Sequence, residues 1–223
     1  MSNEHVAGKR KPAGEIRFNI ALNAEQKEAK KTILENTVTV LKGMAGSGKS
    51  LVAAQVALDM LFKREVERII IARPTVTAGE DIGFLPGTKE DKLAPFTAPV
   101  FDNMYRLYNK EKIDKCLTDG LIEIIPLGFL RGRNFTNSIV IMDESQNVTN
   151  NQMQLVLTRI CHGSKIILCG DSAQIDLKNK ADSGFDIICK HMKGIPGFAV
   201  VVLKTNHRHE IVEKILDVYR ELN

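Results

Sequence analysis

No apolar run in this chain approaches the ~18 residues needed to cross a bilayer, and the first residues are polar and basic, without the apolar core of a secretory signal. A soluble, cytoplasmic protein with no membrane partner is the expectation. Cys116, Cys161, Cys169 and Cys189 show no C-x-x-C spacing, so reduced thiols are expected rather than a disulfide frame. Internal repeats and low-complexity tracts are absent, and the composition is ordinary, which excludes a fibrous or disordered protein. A strong excess of one charge sign is absent too, with 31 Lys and Arg against 27 Asp and Glu. The net charge is +4, part of it in the run Lys9, Arg10, Lys11. Residues 1–15 read as a basic, flexible tail, either solvated or an arm for nucleic-acid phosphates. Residues 16–223 read as a single domain, large enough to bury about 70% of its unfolded surface without staples.

What the chain does have is rhythm. Asn23 is a good helix N-cap, Gln26 completes a capping box, and a helical pattern runs on to Asn36. Short β-rich or apolar runs follow at Thr37–Leu41, Arg68–Ala72, Leu121–Ile125, Ile139–Met142, Lys165–Cys169 and Ala199–Leu203. Helical patterns separate most of them, at Lys49–Phe62, Asn150–Ile160, Gly184–Met192 and Glu210–Leu222. Wholly apolar strands alternating with helices predict an α/β fold, a doubly wound and mostly parallel sheet covered on both faces. Residues 73–99 break the rhythm with Gly, Pro and Thr, and read as an irregular, functional segment.

One segment carries chemistry outright. Gly43-Met44-Ala45-Gly46-Ser47-Gly48-Lys49-Ser50 fits G-x-x-x-x-G-K-[ST] between a strand and a helix. A random chain of this length would contain the pattern about once in a hundred tries, so the match is specific. Its glycines let backbone N–H groups converge on a phosphate, and the helix entered through Ser50 and Leu51 adds its dipole. Lys49 brings a positive charge to the β and γ phosphates, and the Ser50 hydroxyl is a Mg²⁺ ligand. Asp143 follows an apolar strand, where a P-loop site needs an acid to hold Mg²⁺. Glu144, next in sequence, is suited to deprotonate an attacking water. Both acids could instead cap the next helix. Gln174, in Gly170-Asp171-Ser172-Ala173-Gln174, is placed to touch the γ-phosphate or that water, although Gly-Asp-Ser also makes an ordinary turn. Thr88-Lys89-Glu90-Asp91 imitates a guanine-reading motif, but it follows no strand and no D-x-x-G occurs, so adenine is the expected base.

Further motifs resemble those of the PhoH family. They are Gly83-Phe84-Leu85-Pro86-Gly87, Lys92-Leu93-Ala94-Pro95-Phe96, Pro126 to Arg133, Asp143-Glu144-Ser145-Gln146-Asn147, Gly170 to Asp176, and Arg208-His209-x-Ile211-Val212. The resemblance runs from about Asn23 to the C-terminus. It implies an ATPase core similar to the first motor domain of superfamily 1 helicases. Ser145 stands where the family commonly has alanine, and Glu210 where it commonly has proline.

The resemblance implies that Gln26 reads the adenine edge, with the capping box as the alternative. It implies that Arg73 and Thr75 line a path for single-stranded RNA or DNA, with a plain strand end as the alternative. Arg131 and Arg133 are candidates for phosphate or subunit contact, or for plain surface charge. A helicase completes its site with arginines from a second motor domain, for which this chain has no room. Arg208 is therefore the first candidate for the closing arginine, and a homo-oligomer with composite sites is expected, a hexameric ring being one form of it. A small-molecule phosphotransferase and a nucleotide-gated binding module with little turnover are the competing readings.

Overall fold

The computed structural model describes residues 16–74 and 89–207, together with positions 211, 212, 214, 215 and 218. Among the described residues six strands build one sheet: β1 (Val38–Gly43), β2 (Arg68–Arg73), β3 (Ile122–Pro126), β4 (Ser138–Met142), β5 (Lys165–Gly170) and β6 (Phe198–Leu203). Their order is β3-β2-β4-β5-β1-β6, and every neighbouring pair is parallel. All six stand where the apolar runs predict them. Strand side chains alternate in direction, so a sheet covered twice needs apolar residues at every position. Ile69, Ile71, Ile139, Ile141 and Ile167 feed one core, and Ile70, Ala72, Val140, Met142, Ile166 and Leu168 feed the other.

Among the described residues the first face is covered by α1 (Ala24–Glu35), α2 (Lys49–Phe62), α3 (Lys89–Leu107) and α4 (Lys110–Thr118). The second face carries α5 (Asn150–Leu157) and α6 (Gly184–His191). The α2 residues from Val52 to Leu61 are all buried, as expected of a helix packed on every side. One of them is Asp59, whose carboxylate accepts from Lys30 of α1 at 2.7 Å and pairs with Lys63 at 3.0 Å.

One expectation needs correction. Residues 73–99 are not irregular throughout, because α3 begins at Lys89 and runs through Pro95 and Pro99. Each proline removes a helical N–H and interrupts the apolar period, which hides the helix from a pattern search. Residues 75–88, including Gly83 to Gly87, lie outside the described residues, as does most of the terminal pattern from Glu210. The described positions from 211 onward are helical. Among the described residues no helix is long and apolar enough to cross a membrane.

Parallel strands deliver all their C-terminal ends to one edge, where open α/β sheets bind ligands. Here β5 lies between β1 and β4. Three adjacent strand ends therefore present the glycine loop, Gly170-Asp171 and Asp143-Glu144 side by side.

Candidate nucleotide site

Gly46 and Gly48 both adopt φ +86°, a region that disfavours any side chain. Gly48 is the N-cap of α2 and offers no side-chain cap, which leaves first-turn N–H groups for an anion. The loop is also tightly packed. A Cβ at Gly43 would lie 2.5 Å from the Leu203 carbonyl oxygen, and one at Gly48 would strike Gln26 Nε2. Lys49 Nζ donates to the carbonyls of Gly43 at 2.7 Å and Met44 at 2.9 Å, holding its charge over the loop. Ser47 is buried, and its hydroxyl has no hydrogen-bond partner among the described residues.

The acids meet the loop directly. Ser50 Oγ donates to Asp143 Oδ1 at 2.9 Å across 93 positions of sequence. Two hard oxygen donors, one of them a buried carboxylate, fit the donor set that Mg²⁺ takes. Glu144 follows with φ 53° and ψ 37°, a left-handed turn costing an ordinary residue about 1–2 kcal/mol. Such a turn lets the chain leave β4 abruptly.

Gln146 joins these parts. Its Nε2 donates to Glu144 Oε2 at 2.7 Å and to the Gln174 carbonyl at 3.0 Å, while its Oε1 accepts from the Asp171 N–H at 3.1 Å. Asp171 in turn accepts from the Ala45 N–H of the loop at 3.2 Å and from Gln174 Nε2 at 3.0 Å. The side chain of Gln174 is thus bound to Asp171, and it is Asp171 that touches the loop. Ser145 Oγ is satisfied by the Met142 carbonyl at 2.8 Å, so serine fits this position without an orphaned hydroxyl. Cys169 lies fully buried at the end of β5, and burial, with Asp143 second, pushes its thiol well above its ordinary range. It contributes no thiolate here.

A cavity of about 470 Å³ opens beside the loop, lined in part by Gly48, Lys49, Ser50, Leu51, Gln26 and His207. Its far wall belongs to α1 and the segment after β6. Glu25 clamps that segment by accepting from the Lys204 N–H at 2.6 Å and the Thr205 N–H at 3.1 Å. The Lys204 bond, against burial and helped by the Thr205 bond, holds the Glu25 carboxyl below its ordinary 4.5. Next along, the His207 N–H donates to the Gly46 carbonyl at 3.0 Å, tying the segment to the loop. Gln26 is both helix cap and cavity wall: the capping box is present, and the amide also faces the cavity. Asn103 and Arg106 of α3 complete the lining.

Other predicted site residues fall elsewhere. Arg73 ends β2 in register with Pro126. Thr75 and Arg208 lie outside the described residues. Arg131 lines a separate polar groove of about 300 Å³ with Gln152, Gln154 and Thr158 of the α5 region. Arg133 is paired with Glu123 at 2.8 Å, while Arg68 holds the other oxygen at 2.8 Å. Sequence reasoning assigned no role to Gln146, Asp171, His207, Asn103 or Arg106. Only the family motifs flagged the first two, and nothing local flagged the others.

A family model described as PhoH-like protein matches residues 20–220. The PhoH-like protein of Synechocystis sp. is 41% identical over 196 residues, covering 87% of this chain and 60% of its own length. That of Bacillus subtilis is 36% identical over 200 residues, covering 89% and 63%. Protein PhoH of Escherichia coli is 40% identical over 167 residues, covering 74% and 47%. The chain therefore spans between about half and two-thirds of these relatives' lengths. Among solved structures, the Pif1 helicase from Candida albicans aligns over 91% of this chain and 44% of its own, with TM-score 0.49 and 18% identity. The SWI2/SNF2 ATPase core of Sulfolobus solfataricus aligns over 91% and 48%, with TM-score 0.49 and 12% identity. The family match reaches from before α1 to beyond the last strand and so takes in the loop, both acids and the network between them; the chain belongs to the PhoH family.

Proposed function

We propose that this site hydrolyses ATP with Mg²⁺ and that hydrolysis is coupled to single-stranded RNA or DNA. The observation that carries the reading is the contact of Ser50 with Asp143, beside a Glu144 carboxylate oriented by Gln146. Mg²⁺ held by Ser50 and Asp143 would neutralise charge on the phosphate oxygens. The loop N–H groups and Lys49 bind and orient the triphosphate. Glu144 accepts the proton of the attacking water as the bond to the bridging oxygen of ADP breaks. A kinase would turn an acceptor hydroxyl toward the γ-phosphate, whereas a carboxylate fixed at this point favours water.

The nucleic-acid part of the proposal rests on position. Arg73 ends a strand at the same sheet edge as the site, and Arg131 lines a polar groove. Arg73, Thr75 and Arg131 are the proposed phosphate contacts, while Arg133 already has its carboxylate. Phosphate release is measured for wild type and Lys49→Ala, with and without single-stranded RNA or DNA. The expected result is ATP-dependent release, abolished by the substitution and raised several-fold by one nucleic acid. A rate indifferent to nucleic acid, with no binding, overturns the coupling and leaves hydrolysis standing.

Self-assembly belongs to the same reading. Arginine facing a transferring phosphoryl group raises rates by orders of magnitude. Arg208, next to the loop-bound His207 in sequence, is proposed to serve its own site or that of a neighbouring copy in a homo-oligomer, a hexameric ring being one form. Light scattering during gel filtration tests this, and a strict monomer with full ATPase activity overturns it.

A further inference from the structure

Aromatic rings are few in this chain, which has 9 Phe, 3 Tyr and no Trp. Among the described residues Phe129 is the only exposed Phe or Tyr, at 58%. One exposed apolar side chain is ordinary, but the setting of this one is not. Its neighbours anchor it: Leu127 and Leu130 are 2% and 0% exposed and belong to the second core. The Leu130 N–H donates to the Leu127 carbonyl and the Arg133 N–H to the Leu130 carbonyl, each at 3.2 Å, closing two successive turns. The crest of these turns stands clear, since a Cβ at Gly128 or Gly132 would meet no described atom within 4 Å. Pro126 ends β3 in register with Arg73 of β2. Phe129 therefore follows closely on the sheet edge that carries the nucleotide site.

Around the ring the surface is cationic and polar. Gly128, Arg131, Gly132, Arg133 and Asn134 are all exposed. Arg133 is held by Glu123, whereas Arg131 forms no ion pair among the described residues. Arg131 instead lines the groove of about 300 Å³ that Gln154 and Thr158 also line. The core of a protein interface is depleted of charge, so a ring set among arginines and glycines fits a different partner. A single nucleic-acid strand asks for an aromatic face under a base and a cation beside its phosphate. Two positions apart, Phe129 and Arg131 have Cα atoms at most about 7 Å apart, so one nucleotide can span both. We propose that Phe129 is a stacking platform for a base of a single strand, with Arg131 holding a neighbouring phosphate. Stacking uses the face that every base has, so binding here is tolerant of sequence.

The inference deepens the nucleic-acid coupling proposed above and rests on it, and the test separates the two. Fluorescent oligothymidylate and oligouridylate of about 16 nucleotides are titrated across a salt series, followed by anisotropy. An abasic counterpart of the tighter strand is the second probe. Wild type is expected to bind the strand with bases about tenfold or more tighter than the abasic one. Phe129→Ala should lose most of that ratio, as should Phe129→Leu, which is apolar but has no flat face. Phe129→Tyr should keep it. The slope of log K against log salt should stay at its wild-type value in Phe129→Ala and become shallower by about 0.7 in Arg131→Ala. Both probes meet the same protein, so their ratio is independent of any loss of folded fraction. An unchanged ratio in Phe129→Ala, or a wild type that binds the abasic strand equally well, overturns the stacking role and leaves the coupling standing. A lower mass of Phe129→Ala in light scattering, with the ratio unchanged, assigns the ring to contact between copies and overturns the proposal too. Failure of wild type to bind any strand overturns both readings.

Discussion

Gln146 is 1% exposed and uses its whole carboxamide, holding Glu144, the Gln174 carbonyl and the Asp171 N–H at once. Replacing it with alanine would leave the buried Asp171 N–H and the part-buried oxygens of Glu144 and Gln174 without this partner, the buried group alone being worth roughly 1–3 kcal/mol. Gln146→Ala is therefore expected to lose about 2–3 kcal/mol in urea unfolding and to lower kcat by tenfold or more. Gln146→Glu is the sharper variant: it keeps the shape and sets a second carboxylate against Glu144. Hydrolysis should fall further than in Gln146→Ala, and equal rates in the two would show that Glu144 is not held this way. Little of this was legible residue by residue. The loop and the two acids announce themselves by type and spacing, but Gln146 and Asp171 stand 25 positions apart, and Gln26 and His207 stand 181 apart. A pattern along one chain cannot show which distant amides meet. Gln174 draws notice by its position after a strand, but only the structure shows that its side chain donates to Asp171.

Among the elements, strands were easier to read than helices. A strand buried on both faces advertises itself as an unbroken apolar run, and β2 and β4 are almost nothing else. Neither α4 nor α3, whose two prolines interrupt its helical period, stands among the helical patterns read from the sequence. With α3 went Asn103 and Arg106, the cavity residues it supplies. The join between α1 and α2 gives a stability test. Burial works against the Asp59 carboxylate, but bonds from Lys30 and Lys63 outweigh it and hold it below its ordinary 3.8. Asp59→Ala should cost about 2 kcal/mol at pH 7, because two part-buried ammonium groups lose their partner. The α1 clamp on the segment after β6 behaves similarly toward acid. Glu25 is depressed in the folded state, so its contribution is fully present above pH 4.5 and lost as the pH falls through the lower folded value. The Tm gap between wild type and Glu25→Gln should therefore be open at pH 7 and closed in strong acid. A gap that widens in acid would contradict the clamp.

At the scale of the molecule, function follows from strand order. With β5 between β1 and β4, the loop, Asp171 and the Asp143-Glu144 pair share one edge of one sheet. No single strand could carry this site. The two cores stiffen the sheet from both sides, so the Ser50–Asp143 contact is fixed by packing far from it. The α/β class and its six strands were legible because periodicity is a local property. The adjacency of β5 to β1 was not, since it depends on how crossovers of many residues close. The most direct measurement is single-turnover hydrolysis of ATP with Mg²⁺ by wild type and Glu144→Gln, alongside their ATP dissociation constants. A loss of about 10²–10⁴ in rate with binding nearly unchanged is expected if Glu144 is the general base of a hydrolytic site. Equal rates in the two proteins, or a loss explained wholly by weaker binding, would contradict it.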